Sequence, residues 1–121
     1  GQTLQRKVIS VKATDTVRAA AQEMKKHGVS QVPVMDDSDG VVGILTESRV
    51  LAHLLDHPGA ADDLVEGLVE ISYSVMDPDT TIPVLSDMFT RVKLALVLDG
   101  SKIVNVITKI DLIDYVSKIG R

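Results

Sequence analysis

The sequence predicts an α/β fold in which two β-α-β-β-α motifs pack with pseudo-twofold symmetry. Hydrophobic residues make up 45% of the 121 residues and aromatic residues only 2%, so the core must be aliphatic, which favours strands packed against helices. Segments with helical periodicity alternate with pairs of short apolar runs. The second half of the chain then repeats the order of the first, which indicates an internal duplication.

The first copy begins with a helix and continues into a hairpin. The stretch DTVRAAAQEMKKHG starts at a capping residue, Asp15 or Thr16, carries apolar residues at helical spacing and ends at Gly28. The stretch QVPVMDDSDGVVGILT has two apolar runs around a polar turn that ends in Gly40, which is typical of a β-hairpin. A second helix, ESRVLAHLLDH, is expected to stop at the Pro-Gly pair that follows it.

The second copy repeats this order from Thr80 onward, with a helical TIPVLSDMFTRV, a hairpin LALVLDGSKIVNVIT and a helix KIDLIDYVSKI. The strands superpose without a gap at an offset of 62 positions, whereas the first helices need an offset of 65. The second copy is therefore predicted to lack three residues opposite GVSQ, residues 28–31. The matched pairs at the smaller offset are Val34 and Leu96, Val42 and Val104, Leu45 and Ile107, Thr46 and Thr108, and Val50 and Leu112.

We expect one module over residues 1–121, with motif 1 at about 4–57, a connector with one short helix at about 58–72, and motif 2 at about 73–121. Each copy alone has too few elements to bury both faces of its sheet, so the two copies should pack together. A leading Gly1 and an apolar pattern that runs to Ile119 suggest a piece from the C-terminal end of a longer chain.

Composition narrows the class of partner. The net charge of −4 argues against non-specific binding to nucleic acid, and the absence of cysteine excludes a thiolate nucleophile and a disulfide framework. The chain has no apolar run of membrane-spanning length and no signal-peptide pattern, so a cytoplasmic location without membrane contact is expected. A small molecule or another protein is the expected partner.

The stretch VITKIDLIDYV places Thr108 three residues before Asp111 at the start of a predicted helix. This spacing fits a capping box, and a helix start also attracts anions, so the residues alone leave both interpretations open. The first copy has Thr46 and Arg49 at the matching positions. A cation near a helix start is unfavourable, so the two helix starts are predicted to differ chemically.

Other candidate sites are weak. His53 and His57 have metal-ligand spacing, but no third ligand is evident, and histidines near a helix end also suit the helix dipole. The stretch DDSDG is interpreted as a hairpin turn rather than a calcium loop. Ser48, His53 and Asp56 share one helix and cannot converge as a catalytic triad. We therefore predict no metal site and no catalytic residue in this chain.

The element order and the hairpin ends GILTESR and VITKID resemble a tandem pair of CBS motifs, known as a Bateman module. The specific mark of that family is Gly, two apolar residues, Thr or Ser, two variable residues and Asp. Each copy departs from this mark at one position. More narrowly, KHGVSQVPVMDDSDGVVGILTESRVLAHLL with VITKIDLIDYV resembles the regulatory domains of cystathionine β-synthases, in which a Gly-x-x-Gln-x-Pro-Val segment lines an S-adenosylmethionine pocket. The positions of the Gly-x-x-Thr-x-x-Asp mark are Gly43, Thr46 and Arg49 in copy one, where Arg stands in place of Asp. In copy two they are Asn105, Thr108 and Asp111, where Asn stands in place of Gly.

The resemblance implies a regulatory ligand-sensing module that binds an adenosyl compound, S-adenosylmethionine first and AMP or ATP as the alternative. It also implies allosteric control of an attached, pyridoxal-phosphate-dependent cystathionine β-synthase. In the family each cleft between copies joins a loop of one copy to a helix start of the other, so one competent cleft is expected. A second cleft, with Thr46 and Arg49, is expected to be degenerate. The expected binding residues are Val29, Ser30, Gln31, Thr108, Lys109, Ile110 and Asp111.

Two further expectations concern partners. The helices VLAHLL and LIDYV carry apolar faces that one module does not cover, so a homodimer is expected. A ligand-free dimerisation module is therefore the alternative function. Near the proposed cleft Lys109 is one of few cations, which favours S-adenosylmethionine over a triphosphate.

Overall fold

The computed structural model describes residues 8–119, which form two compact units. One unit is Ile9–Ile71, and the other contains Val8 and the described residues from Ser72 onward. The expected start of motif 1 near residue 4 and the end of motif 2 at residue 121 lie outside the described residues.

The first unit has the predicted order of strand, helix, hairpin and helix. Helix α1 begins after Thr16, whose Oγ1 accepts a hydrogen bond from the N–H of Ala19 at 3.1 Å, and it ends at Gly28, which has a left-handed φ of 65°. The cap and the stop read from the sequence are therefore confirmed. The elements are β1 Val11–Lys12, α1 Val17–His27, β2 Gln31–Met35, β3 Val41–Thr46 and α2 Glu47–Asp56.

Three strands form the sheet of the first unit in the order β1-β2-β3. β1 runs parallel to β2, and β2 pairs antiparallel with β3, as expected of a hairpin. One face of this sheet packs against the two helices and the connector. The buried core residues are Val11, Val17, Ala20, Met24, Val32, Val34, Leu45, Val50, Val65 and Leu68.

The connector is built into the first unit. It contains two short 3₁₀-helices, Ala60–Asp62 and Val65–Leu68, so the expectation of one short helix is wrong. Its end forms a bridge to β3, because Ile44 and Glu70 exchange two backbone hydrogen bonds of 2.8 Å each. Gly43 permits this approach, since a Cβ there would lie 2.8 Å from the Glu70 carbonyl oxygen.

The second unit repeats the architecture, because its three strands lie in chain order across the sheet with the same directions of pairing. Helix α3 ends at Met88, before the end of the helical stretch that was predicted, and a turn continues to Val92, whose N–H donates to the Met88 carbonyl at 3.2 Å. The longest described helices have 11 residues, and no described helix has the length and apolarity needed to cross a membrane. The elements are β4 Tyr73–Met76, α3 Ile82–Met88, β5 Leu94–Asp99, β6 Lys102–Thr108 and α4 Lys109–Ile119.

The register of the two hairpins confirms the repeat and corrects its alignment. Val34 pairs with Gly43, and Val97 pairs with Asn105. Val34 therefore corresponds to Val97, and its predicted match to Leu96 is wrong by one position. The second hairpin is one residue shorter around its turn, so only two of the three missing residues lie between helix and strand, where all three were expected. Both valines are buried core residues of their units.

Candidate functional site

The helix start of the second motif is a capping box formed by Thr108 and Asp111. The backbone N–H and the hydroxyl of Thr108 both donate to Asp111 Oδ2, at 2.9 Å each. In return, the N–H of Asp111 donates to Thr108 Oγ1 at 3.3 Å. This reciprocal pairing fixes a half-buried carboxylate at the positive end of α4, where the helix dipole favours negative charge.

The two residues between them are exposed. Lys109 presents a cation beside the capping box, and the side chain of Ile110 is 67% exposed. The second helix start therefore combines an acceptor, a cation and an apolar surface within four consecutive residues, which suits a ligand with polar and apolar parts.

The helix start of the first motif uses the same threonine chemistry with a different acid. Thr46 is 4% exposed, and its Oγ1 accepts from the N–H of Arg49 at 3.1 Å. The same hydroxyl donates to Oε2 of Glu70 at 2.8 Å. Glu70 lies at the end of the connector, 24 positions after Thr46. Arg49, which occupies the position that matches Asp111 of the second motif, has an exposed side chain.

Sequence reasoning missed Glu70 because the contact is not local. No helical or strand spacing relates Glu70 to Thr46, so periodicity gives no sign of it. A weak signal was present, because Glu70 is an isolated acid between the apolar Val69 and Ile71. A charged residue in such a position often has a specific partner.

The predicted loop, residues 29–31, divides between two surroundings. Val29 and Ser30 line an open groove of about 500 Å³ between α1 and α2, together with apolar residues such as Met24 and Leu54. Gln31 begins β2 and pairs with Thr46 across the hairpin. The structure thus places Ser30 as well as Gln31 beside the first helix start, because the N–H of Glu47 donates to the Ser30 carbonyl at 3.0 Å.

Gln31 also carries an unusual side-chain atom. Its Oε1 is buried and has no hydrogen-bond partner within residues 8–119. An unpaired buried acceptor costs about 1–3 kcal/mol. This oxygen is therefore suited to a donor from a bound molecule or an ordered water.

Each unit thus holds its own helix-start cluster: Gln31, Thr46 and Glu70 in the first, Thr108 and Asp111 in the second. The expected combination of residues 29–31 with residues 108–111 joins residues of different units, and it stays a prediction.

The two histidines of α2 have structural roles in this geometry. His53 Nε2 lies 3.0 Å from Oδ2 of Asp63, which ties α2 to the connector. The rings of His53 and His57 lie 4.7 Å apart. In the part of the chain that the structure describes, no three His, Asp or Glu side chains are grouped so that they could hold a metal ion.

The acidic turn of the first hairpin is a local structure. Oδ1 of Asp36 accepts hydrogen bonds from the N–H groups of Ser38 and Gly40, at 2.8 Å each. A side chain that bonds to backbone groups two and four residues ahead stabilises a turn. The interpretation of DDSDG as a hairpin turn is confirmed.

Comparison with known sequences identifies the motifs. The CBS domain family matches residues 2–56 and 65–118. A cystathionine β-synthase of Dictyostelium discoideum is 31% identical over 117 residues, which cover 93% of this chain and 24% of the relative. The chain therefore spans about a quarter of that relative's length.

Comparison with solved structures supports the same architecture. A CBS-domain protein from Burkholderia ambifaria has a TM-score of 0.83 at 24% identity, and the match covers 97% of this chain and 88% of that one. CBSX2, solved in complex with AMP, has a TM-score of 0.74 at 21% identity, with 94% and 90% covered. These likenesses show the fold. With both motifs matched by sequence, the chain belongs to the CBS-domain family, as a paired CBS regulatory module.

Proposed function

We propose that this CBS pair senses an adenosyl ligand, S-adenosylmethionine in the first place, at the helix start of the second motif. The observation that carries the proposal is the capping box of Thr108 and Asp111. A carboxylate has lone pairs enough to accept from adjacent hydroxyls such as those of a ribose. The helix start beside it favours a negative group of the same ligand.

The proposed binding residues are those expected from the sequence, Val29, Ser30, Gln31, Thr108, Lys109, Ile110 and Asp111. The unpaired Oε1 of Gln31 supports its inclusion, because a ligand amino or ammonium group would supply the donor that this oxygen lacks within the described chain. The exposure of Ile110 supports an apolar contact with a base.

The choice of ligand depends on charge. A triphosphate needs several cations, and Lys109 is the one cation in the proposed residue set. This favours S-adenosylmethionine over ATP, with AMP as the second candidate. The similarity to a cystathionine β-synthase supports the first ligand, and the AMP complex of CBSX2 supports the second.

We further propose that ligand binding controls an attached or associated enzyme, a pyridoxal-phosphate-dependent cystathionine β-synthase of cysteine biosynthesis. The support is the sequence identity to the Dictyostelium enzyme over nearly the whole of this chain. In this proposal the chain itself is regulatory and non-catalytic. The location would be the cytoplasm, where an adenosyl metabolite reports on the supply of substrate.

Homodimerisation is the second part of the proposal, and a ligand-free dimerisation module is the competing function. Both are supported by exposed apolar side chains on two helices, with Leu51 at 59% and Leu55 at 73% on α2, and Ile110 at 67% and Ile113 at 60% on α4. A dimer by light scattering at high micromolar concentration is expected. A monomer there would count against both statements.

Calorimetric titration of the protein with S-adenosylmethionine, AMP and ATP tests the ligand proposal. Replacement of Asp111 with Ala should weaken binding by about 2 kcal/mol, roughly 30-fold, because it removes the acceptor. Asp114→Ala is the matched control, since Asp114 is an exposed acid of the same helix bonded to Lys118 at 2.9 Å. Equal losses in both variants would contradict the assigned site. Binding of none of the three compounds would favour the dimerisation module.

A further inference from the structure

The end of the connector brings a fixed carboxylate to the first helix start. Glu70 is held at its backbone by the two-way bridge to Ile44, at 2.8 Å in each direction. Its side chain is held by the hydroxyl of Thr46, also at 2.8 Å. The absence of a side chain at Gly43 lets this segment approach β3 so closely. The carboxylate is therefore positioned by the fold and not by chance contact of a surface side chain.

Three donors of this helix start are already used within the chain. The N–H of Glu47 donates to the carbonyl of Ser30 at 3.0 Å. The N–H of Arg49 donates to the hydroxyl oxygen of Thr46, and the Thr46 hydroxyl proton goes to Glu70. Thr46 itself is buried. An anion that approached this point would meet occupied donors and a like charge.

We propose that Glu70 is a specificity-determining residue that closes the helix start of the first motif to the anionic group of a ligand, a phosphate or a carboxylate, so that each chain holds one adenosyl ligand. The inference rests on the proposed function, because it explains why only the second motif takes the ligand. It also changes the physical reason for that asymmetry. The cationic Arg49 alone would attract a phosphate, whereas the Glu70 carboxylate repels one and occupies the threonine hydroxyl.

The test is calorimetric stoichiometry with AMP as the probe. Glu70→Gln keeps the size of the side chain and an acceptor for Thr46 while it removes the charge, and Glu70→Ala removes the side chain. Both should add one AMP site per chain relative to the unchanged protein. Glu66→Gln is the matched control, because Glu66 is an exposed connector acid, and it should leave the stoichiometry unchanged.

Two results would overturn the proposal. One is an unchanged AMP stoichiometry in Glu70→Gln and Glu70→Ala proteins that melt cooperatively. The other needs no substitution: calorimetric binding of two AMP molecules per chain by the unchanged protein would show that the first helix start is open. If the unchanged protein binds neither AMP nor S-adenosylmethionine and Glu70→Gln gains one AMP site, the inference about Glu70 holds while the proposed function fails.

Discussion

The two helix starts of this molecule perform the same hydrogen-bond chemistry with acids of different origin. Thr46 and Thr108 each accept from the N–H three residues ahead and donate to a carboxylate oxygen. In the second motif the acid is Asp111, inside the helix that it caps. In the first motif the acid is Glu70, which belongs to the connector. The comparison teaches that a capping threonine alone does not reveal whether a helix start is open to a ligand.

The two carboxylates also differ in which segments of the chain they connect. Asp111 is part of α4, so its bonds to Thr108 join residues three positions apart at the start of one helix. Glu70 instead links α2 to the connector, so the first cap also fastens a long segment. The cap of the first helix start thereby also fixes the connector, whereas the cap of the second joins only neighbouring residues.

The largest expected effect concerns the close approach of the connector to Gly43 in the first motif. Gly43→Ala should destabilise the protein by about 2–4 kcal/mol, because the new Cβ would lie 2.8 Å from the Glu70 carbonyl oxygen and 2.9 Å from Val69 Cβ. Gly67→Ala, where no atom lies within 4 Å, is the control. Urea unfolding measures both variants. If Gly43→Ala and Gly67→Ala lose similar amounts of stability, the connector does not constrain the residue at position 43.

The next effect tests the openness of the second helix start. S-adenosylmethionine at a hundredfold excess over its Kd should stabilise the folded protein by about 2.7 kcal/mol and raise the melting temperature by several degrees. AMP or ATP should give a smaller shift, and Asp111→Ala should lose most of it. Thermal melts with millimolar ligand measure this. If none of the three ligands changes the melting temperature of protein free of bound nucleotide, the second helix start does not bind them. That result would favour the dimerisation module.

Removal of each capping hydroxyl compares the two caps directly. Thr46→Ala should cost about 2 kcal/mol, because it removes a buried cap together with a donor to Glu70. Thr108→Ala should cost about 1 kcal/mol, since that cap is less buried. Thr81 precedes α3 without a side-chain cap bond to a described residue, so Thr81→Ala should be nearly neutral. The denaturant midpoint is expected to fall most in Thr46→Ala, less in Thr108→Ala and least in Thr81→Ala. Another order would show that the caps of the two motifs do not differ in this way.

The smallest expected effect concerns the exposed cation of the first helix start. Arg49→Ala should stabilise the protein by a few tenths of a kcal/mol, because a positive side chain near a helix start opposes the dipole. Adenosyl-ligand binding at the second motif should not change. Arg91→Ala, which removes an exposed ion pair with Asp87 at 3.0 Å just after the end of α3, should act in the opposite direction and by a similarly small amount. A large loss of stability in Arg49→Ala would show that the arginine side chain makes a stabilising contact that the structure does not indicate.

Local signals made most of the elements predictable. The cap at Thr16, the stop at Gly28 and the polar turn before Gly40 all act within a few residues, and each lies where the pattern indicated. The capping box at Thr108 and Asp111 is equally local, so its spacing was sufficient. Such features depend on backbone groups that neighbouring residues must satisfy.

The register of the second hairpin could not be read in the same way. The strand LALVL is apolar at every position, and Leu94, Ala95, Leu96 and Val97 are all buried. A strand without alternation fits the repeat equally well at offsets of 62 and 63, so hydrophobicity cannot distinguish Leu96 from Val97 as the match of Val34. Backbone pairing supplied what the side-chain pattern lacks.

The Glu70 contact and the two connector helices were missed for a different reason. They depend on a segment that packs back onto its own motif from 24 positions away. Val65 and Leu68 are buried, yet the stretch that holds them is too short to show a clear period. Non-local packing of this kind overrides local propensity, and only the folded chain reveals it.

The placement of the connector has a consequence for synthesis of the chain. Because Val65, Leu68 and Glu70 complete the first unit, a nascent chain that has reached only the end of α2 still lacks part of its core. Once Ile71 has left the ribosome, every contact within that unit can form. The contacts within the first motif can therefore form during translation, before the second motif is made, whereas a nascent chain that ends just after α2 cannot yet make those of Val65, Leu68 and Glu70.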